Sequence, residues 1–329
     1  MKISVTILSR MPPERSRLVL SYAPENFEIN IIESSAPIDL QINACKDADA
    51  IILGTPNIDM SVLNECHKVK LLQTLSAGYE ELNIEAISKI GIPIANNGGS
   101  NAGAVSEQVI SIALMLLRGT LKHWENAKEK KWREGIRDLN FGELGNKKFG
   151  IVGMGPIGKE LAKKLQGFQC EVSYYDINFL DPITENELNI SRTTLNNLLK
   201  NSDVISLHIP LNEKTYHFIG KNEFLKMKKS AIIINTSRGG IIDEIALLKA
   251  LEEEQIAGAG LDVMESEPPK ENDALLELNN VIITPHMAGV TSESNSRSAL
   301  FAFENVSRAI AKKEILSVVN TKELLTYRS

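Results

Sequence analysis

The sequence predicts an α/β protein that consists of two parallel-sheet domains. Its 329 residues are about twice the ~150 residues of an average domain. Short apolar runs of strand length alternate with helix-like stretches along the chain, a pattern typical of parallel sheets covered by helices. A glycine-rich turn near the middle of the chain opens a second series of the same kind. We therefore expect two sheet-and-helix units.

The N-terminal third of the chain holds the first series. Turn-forming residues bound each of its apolar runs, as expected for short buried strands. The predicted strands are Ile3–Leu8, Ile29–Ile32, Ala50–Leu53, Leu71–Leu75 and Ile92–Ala95. Helices are expected between them at Ser61–Cys66 and Asn83–Ile90. The series ends near the turn formed by Asn97, Gly98 and Gly99.

A long helix is predicted next, at Asn101–Arg118. Its residues are small or aliphatic on most faces, which predicts burial between domains or between subunits. The segment Lys122–Arg137 is charged and contains Trp124 and Trp132. We interpret it as a solvated connection with aromatic anchors.

The second series fills most of the remaining chain. Its predicted strands are Phe149–Val152, Glu171–Tyr175, Val204–Ile209, Ala231–Ile234, Ala259–Leu261 and Val281–Thr284. Its predicted helices are Gly158–Leu165, Thr194–Leu199, Lys221–Lys226 and Glu244–Glu254. The last predicted helix, Ser292–Lys313, lies outside this series.

Composition narrows the class of partner. Acidic residues outnumber basic ones, 42 to 36, whereas a nucleic-acid-binding surface is basic. The three cysteines form no CxxC pair, which favours a reduced cytoplasmic protein without a zinc site. The chain contains no apolar run of membrane-spanning length and no signal-peptide core at its N-terminus. We expect no metal, no nucleic-acid partner and no membrane association.

The strongest local signal is a glycine motif that follows a predicted strand and opens a predicted helix. Gly153 permits the tight turn, Gly155 lets the backbone approach a pyrophosphate, and Gly158 packs the helix against the strand. Amide groups at the start of the helix then bind the phosphates. This context predicts a dinucleotide site.

Asp176 predicts which dinucleotide binds. It closes the second strand of this series, 18 residues after Gly158, where a carboxylate accepts hydrogen bonds from the ribose hydroxyls of NAD. A 2′-phosphate would meet like charge there, and neither Ile177 nor Asn178 supplies a cation. We therefore predict NAD rather than NADP.

The five histidines differ in their surroundings. His67 and His123 lie among charged residues and are interpreted as surface residues. His217 is interpreted as a loop residue. His208 and His286 follow predicted strands, and the strand ends of such a sheet line its ligand crevice. His208 is therefore expected to line the cofactor, and His286 is the candidate catalytic histidine.

Two further charged residues follow strands of the same series. Arg238 comes after an apolar strand and before two glycines. Its guanidinium suits bidentate binding of a carboxylate; the alternative is a structural salt bridge. Glu267 follows the strand that ends near Asp262. It is a candidate site residue; the alternatives are a solvated loop carboxylate and its neighbour Glu265.

Taken in order, these motifs resemble those of the D-isomer-specific 2-hydroxyacid dehydrogenase family. The resemblance covers almost the whole chain and includes Leu71–Tyr79 and the helix start at Asn101. It implies two Rossmann-like or flavodoxin-like domains with the active site in the cleft between them. The NAD-binding domain would be 101–289, and the substrate domain would be 1–100 plus 290–329. It also implies a homodimer that uses the long helix.

The resemblance also implies the roles of single residues. Arg238 would bind the substrate carboxylate and carbonyl, and His286 would be the acid/base. Glu267 would hydrogen-bond the imidazole, favouring its charged form and fixing its orientation. Asp262 would bind the nicotinamide carboxamide. The substrate carboxylate would meet the backbone amides of Ser76, Ala77 and Gly78, and NAD would be lined by Pro156, Ile157, His208, Pro210, Thr236, Ser237 and Gly289.

The sequence leaves the substrate open. Glyoxylate or hydroxypyruvate is the leading hypothesis. D-3-phosphoglycerate is the alternative, although the loop Leu53–Asn57 lacks the arginine that typical phosphoglycerate dehydrogenases carry there. A function of another class, an NAD(H)-sensing protein similar to transcriptional corepressors, would use the same fold without turnover.

Overall fold

A computed structural model of the chain describes residues 2–134 and 141–328. The chain separates into two compact units, Met1–Asn101 with Val290–Ser329 and Ala102–Gly289. Each unit contains one parallel sheet with helices before and after its strands. The predicted fold class is confirmed.

The first unit begins as an alternation of strands and helices. Its elements are β1 (Ile3–Leu8), α1 (Pro13–Ser21), β2 (Phe27–Ile32), α2 (Ile38–Cys45), β3 (Ala50–Leu53), α3 (Met60–Asn64), β4 (Leu72–Thr74), α4 (Ile84–Lys89) and β5 (Ile94–Ala95). The sequence indicated all of these strands but missed α1 and α2. The reason is that each of these two helices buries few residues, so each carries little apolar periodicity.

The second unit opens with the long helix. Its elements are α5 (Ala102–Arg118), α6 (Thr120–Lys128), β6 (Lys148–Val152), α7 (Pro156–Gln166), β7 (Glu171–Tyr175), α8 (Pro182–Leu188), β8 (Ile190–Arg192), α9 (Leu195–Asn201), β9 (Val204–Leu207), α10 (Lys221–Phe224), β10 (Ile232–Asn235), α11 (Glu244–Glu252), β11 (Gly258–Leu261) and β12 (Val281–Ile283). The segment Lys122–Arg137 is mostly exposed up to residue 134, as expected, and its first part is helical. Its expected aromatic anchors are wrong, because Trp124 and Trp132 are exposed. Residues 135–137 lie outside the described residues. Strand β8 was not predicted.

The last two helices belong to the first unit. They are α12 (Ser292–Ile310) and α13 (Thr321–Arg328). Phe303 and Val306 of α12 are buried in one apolar cluster with Val5 and Ile52 of the sheet. The buried Asn305 of α12 also hydrogen-bonds to the sheet, since its Nδ2 donates to Gln73 Oε1 at 2.9 Å. The C-terminal segment is thus part of the core of the first unit.

The strand order of each sheet shows where a ligand can bind. The first sheet has the order β2-β1-β3-β4-β5, and the second has β12-β11-β10-β9-β6-β7-β8. In the second sheet the chain runs outward from β6 through β8 and then returns to β9 on the other side of β6. Ligands bind beyond the carboxyl ends of the strands at such a reversal. The loops after β6 and β9 therefore frame the candidate site.

Among the described residues, no single helix has both the length and the apolar character needed to cross a membrane. The bent pair α5 and α6 passes that test by length and composition alone.

Candidate active site

The loop after β6 has the shape that a pyrophosphate requires. Gly153 adopts a φ of 98°, and a Cβ placed there would lie 2.5 Å from the carbonyl oxygen of His208. A Cβ at Gly158 would lie 2.2 Å from the Gly153 oxygen, so neither position admits a side chain. A Cβ at Gly155, in contrast, would meet no atom within 4 Å. The loop is tight where it packs and open where a phosphate would approach, as the sequence predicted.

Asp176 at the end of β7 is fixed beside this loop. Its Oδ2 accepts a hydrogen bond from the Met154 amide at 2.7 Å, and its Oδ1 accepts one from the Asn178 amide at 2.7 Å. A carboxylate has about four lone-pair positions, so both oxygens can still accept ribose hydroxyls. The structure fits NAD at this point.

A cation that the sequence did not reveal lies close to Asp176. The guanidinium of Arg192, from the unpredicted strand β8, donates to the main-chain oxygen of Asp176 at 3.2 Å. It also lies 3.6 Å above the ring of Phe179. The expectation that no cation is near the ribose site is wrong, because β8 pairs with β7 and brings Arg192 to it. The NAD preference therefore depends on the Asp176 carboxylate alone.

Two buried polar atoms near the carboxyl ends of β9 and β10 have no hydrogen-bond partner in the structure. They are Nδ1 of His208 and Oγ1 of Thr236. The other ring nitrogen of His208 lies 2.8 Å from Ser206 Oγ. Buried polar atoms are normally satisfied, so unpaired ones at a predicted cofactor site fit a ligand that supplies their partners.

Burial makes His208 a source of acid sensitivity. It lowers the pKa of the imidazole from 6.5 to about 3. Below pH 6.5 the unfolded chain therefore takes up a proton that the folded chain refuses, and the free energy of unfolding falls as the pH falls. At pH 5 this loss is about 2 kcal/mol. Urea unfolding at pH 7.5 and pH 5 should show His208→Gln less acid-sensitive than wild type by that amount; equal pH dependence would contradict the prediction.

His286 and Glu267 form a direct pair. His286 Nδ1 lies 2.7 Å from Glu267 Oε2, and both side chains are partly exposed, by 48% and 39%. The second Glu267 oxygen accepts a hydrogen bond from the Met264 amide at 3.1 Å. Because Nδ1 faces a carboxylate, Nε2 is the ring atom left to exchange a proton with a substrate. This is the arrangement of a general acid/base.

Asp262 shapes the loop that carries His286. Only 2% of it is exposed. Its carboxylate accepts hydrogen bonds from Thr284 Oγ1 at 2.5 Å and from the amides of Met287 and Ala288 at 2.9 and 2.8 Å. His286 lies between these anchors with a φ of 55°, so the loop is held in an uncommon conformation. The predicted contact of Asp262 with the nicotinamide carboxamide stays a prediction.

The loop after β10 presents Arg238. Asn235, fully buried at the end of the strand, donates from Nδ2 to the Arg238 carbonyl at 2.8 Å. Its Oδ1 accepts hydrogen bonds from the amide and the hydroxyl of Ser237 at 3.1 and 2.7 Å. Asn235 had no assigned role from the sequence. The signal was present, since a polar residue ends a run of three isoleucines.

In the first unit, the backbone carbonyls and amides of the segment Ser76–Gly78 differ in their hydrogen bonding. Its three carbonyls accept hydrogen bonds: Ser76 O from Thr74 Oγ1 at 2.7 Å, Ala77 O from Asn96 Nδ2 at 3.0 Å, and Gly78 O from Ser76 Oγ at 2.9 Å. Among the described residues, none accepts a hydrogen bond from the three amides of this segment. Consecutive free amides form a concavity that binds anions.

Other predicted residues occupy the positions that the motifs indicated. Pro156 and Ile157 begin α7, Pro210 follows β9, and Gly289 follows the His286 loop. Across residues 2–134 and 141–328, the structure brings together no three His, Cys, Asp or Glu side chains able to hold a metal.

Comparison with known proteins finds similar sequences over almost the whole chain. Residues 110–288 match the family model described as D-isomer specific 2-hydroxyacid dehydrogenase, NAD binding domain. A glyoxylate reductase from Thermococcus litoralis is 34% identical over 335 residues, which is 99% of each chain.

Two solved structures extend the comparison. A glyoxylate reductase from Paecilomyes thermophila is 27% identical with a TM-score of 0.82, over 98% of this chain and 99% of that one. The NAD-complexed D-isomer specific 2-hydroxyacid dehydrogenase of Lactobacillus delbrueckii ssp. bulgaricus is 25% identical with a TM-score of 0.82, over 96% of this chain and 100% of that one.

Proposed function

This chain belongs to the D-isomer-specific 2-hydroxyacid dehydrogenase family, and we propose that within it the protein reduces a small 2-oxo acid, glyoxylate or hydroxypyruvate. It is an NAD-dependent oxidoreductase that acts on the CH–OH group of its donors. The observation that carries the proposal is the 2.7 Å pair between His286 and Glu267. The choice of substrate is supported by the glyoxylate reductases among its relatives.

The proposed mechanism assigns one task to each side chain. NADH, when bound, supplies the hydride. Arg238 binds the substrate carboxylate in a bidentate manner and places positive charge beside the carbonyl oxygen. His286 donates a proton from Nε2 to that oxygen, which would otherwise become an alkoxide, and Glu267 stabilises the charged imidazole before the transfer. In the reverse direction the neutral His286 removes the hydroxyl proton.

Backbone groups of the first unit also have a proposed role. We propose that the free amides of Ser76, Ala77 and Gly78 bind the substrate carboxylate. This role is supported by the carbonyls of these residues, which are all occupied by internal hydrogen bonds. The binding energy of such amides is electrostatic and needs no side chain, so the segment tolerates small residues.

We propose that residues 101–289 form the NAD-binding domain and that 1–100 with 290–329 form the substrate domain. The family match over 110–288 supports the first assignment. Within the NAD-binding domain, Gly153, Gly155 and Gly158 would hold the pyrophosphate and Asp176 the ribose. The remaining proposed NAD contacts are Pro156, Ile157, His208, Pro210, Thr236, Ser237, Asp262 and Gly289.

We also propose a cytoplasmic homodimer. The dimer is supported by exposed apolar side chains on α6, where Leu121 and Trp124 are 42% and 58% exposed, next to the long helix α5. The cytoplasmic location is supported by three unpaired, buried thiols. Light scattering tests the proposed dimer, because a measured mass of 36.3 kDa would mean a monomer.

The test is oxidation of NADH with a panel of 2-oxo acids. The panel contains glyoxylate, hydroxypyruvate, pyruvate, a phenyl-bearing 2-oxo acid and 3-phosphohydroxypyruvate, each repeated with NADPH. We expect turnover of glyoxylate or hydroxypyruvate, and a lower KM for NADH than for NADPH because Asp176 repels a 2′-phosphate.

Other outcomes would change the assignment. Turnover of 3-phosphohydroxypyruvate alone would favour the D-3-phosphoglycerate dehydrogenase alternative. Binding of NADH without turnover of any compound would contradict the proposed substrate class and favour an NAD(H)-sensing protein. Equal KM values for the two cofactors would show that Arg192 compensates for the charge of Asp176.

A further inference from the structure

The second unit contains another histidine–carboxylate pair besides His286 and Glu267. His217 Nε2 lies 2.7 Å from Glu265 Oε1, and about one third of each side chain is exposed. The ring of Tyr216 stacks on the imidazole at 3.9 Å between centroids. His217 has a φ of 51°, a conformation that a non-glycine residue adopts at a cost. From the sequence, His217 was interpreted as a loop residue and Glu265 only as an alternative to Glu267.

The backbone of His217 is attached to the loop that carries Arg238. Its amide donates to the Gly240 carbonyl at 2.8 Å, and the Ile219 amide donates to the Ile241 carbonyl at 3.1 Å. The Asp243 amide donates back to the Ile219 carbonyl at 3.0 Å. Residues 217–219 therefore run alongside the segment that follows Arg238 and hold it from one side.

The side chain of His217 is attached to a different loop, the one that carries Glu267. Its partner Glu265 lies two residues before Glu267. The Glu265 amide donates to Glu244 Oε1 at 2.7 Å, which ties this loop to the start of α11. The Glu267 carboxylate in turn accepts a hydrogen bond from the amide of Met264. Contacts on both sides thus hold the 264–267 segment.

The two loops also touch each other directly. A Cβ placed on Gly239 would lie 2.0 Å from the carbonyl carbon of Met264, so the loop after Arg238 and the loop before Glu267 pack backbone against backbone. His217 spans this contact, with its amide on one loop and its imidazole on the other. A shift of either loop would change the position of Glu267 relative to Arg238.

The carboxylates near the start of α11 favour a hydrogen-bond donor beside Glu265. Burial raises the pKa of Glu244. The hydrogen bond from the Glu265 amide lowers it, and the charges of Glu265, Asp273 and Glu267 raise it further. Several carboxylates therefore crowd the start of α11, and like charges repel. The imidazole of His217 donates a hydrogen bond to Glu265 and offsets this repulsion.

We propose that His217 is a positioning residue for the reaction: it joins the Arg238 loop to the Glu267 loop and so fixes the Glu267–His286 pair. The inference rests on the proposed function for the roles of those three residues. The inference also predicts that Glu267 loses its fixed position without His217. This structural prediction does not depend on which substrate is turned over.

The experiment compares His217→Ala and His217→Gln with wild type, and uses His67→Ala, a change at an exposed histidine, as the matched control. For His217→Ala we expect kcat to fall by about 10- to 100-fold, because small displacements of acid/base groups have effects of this size. The Kd for NADH should stay within about twofold, since the glycine loop and Asp176 are untouched. His217→Gln, whose amide can still donate to Glu265, should recover most of the loss.

A second readout does not require turnover. In wild type, the Nδ1 proton of His286 should give a downfield NMR signal because it is hydrogen-bonded to a carboxylate; His286→Gln assigns it. His217→Ala should broaden or lose this signal while its Tm and circular dichroism stay close to those of the control. A retained signal with kcat within twofold of wild type would overturn the inference. So would equal loss of kcat in the alanine and glutamine variants. If wild type turns over no 2-oxo acid, the proposed function fails, and the NMR signal alone decides the inference.

Discussion

Replacing His286 by alanine is expected to lower kcat by at least ~10²-fold. The substitution removes the one ring that Glu267 holds at 2.7 Å, and with it the proton donor for the carbonyl oxygen. Steady-state NADH oxidation measures the loss. The Kd for NADH should change little, because His286 is not among the residues proposed to hold the dinucleotide.

The variant Glu267→Gln separates the hydrogen bond to His286 from the charge of the carboxylate. The amide can still accept a hydrogen bond from His286 Nδ1 but no longer stabilises the charged imidazole, so its kcat should lie between those of wild type and His286→Ala. Unchanged turnover in His286→Ala would refute the acid/base role. If Glu267→Gln were less active than His286→Ala, Glu267 would not act only through His286.

The second large effect is expected at Arg238. Arg238→Lys keeps the charge but removes the planar fork that binds a carboxylate through two hydrogen bonds. Charge-assisted hydrogen bonds contribute about 1.5–3 kcal/mol each, so kcat/KM for the 2-oxo acid should fall by roughly 10- to 100-fold. Much of the fall should appear as a higher KM, because the carboxylate is bound before and during the reaction.

The measurement is a set of initial rates over a range of 2-oxo acid concentrations at saturating NADH. Arg17→Lys, at an exposed position of α1, is the matched control and should keep wild-type values. If Arg238→Lys kept the KM of wild type, the guanidinium would not be the carboxylate ligand. Arg238 would then be a structural residue of the loop that Asn235 organises.

The sequence predicted well where one segment carries the whole signal. The glycine motif is local, so its turn, its close packing and its open position could be assigned from the sequence alone. Strands that are buried on both faces were equally visible. Ile232–Ile234 is an unbroken apolar run, and only Ser206 interrupts the apolar run of Val204–Leu207. Helices α1 and α2 were missed because they bury few side chains and show no apolar stripe.

Contacts between distant segments were the part that the sequence could not provide. Arg192 was invisible as a neighbour of Asp176 because it lies on β8, and only the parallel pairing of β7 and β8 brings it there. His217 and Glu265 are 48 positions apart, so each was interpreted from its own neighbours alone.

The sequence by itself determined the family, the dinucleotide motif, and the residue types that the chemistry requires. Each of these depends on the order and spacing of residues within short segments. The tertiary structure decided which oxygen of Glu267 meets His286, that Asp262 is committed to the His286 loop, and that His217 joins two loops. These follow from packing of strands and loops far apart in the chain, where a shift of about 1 Å is enough to break a hydrogen bond.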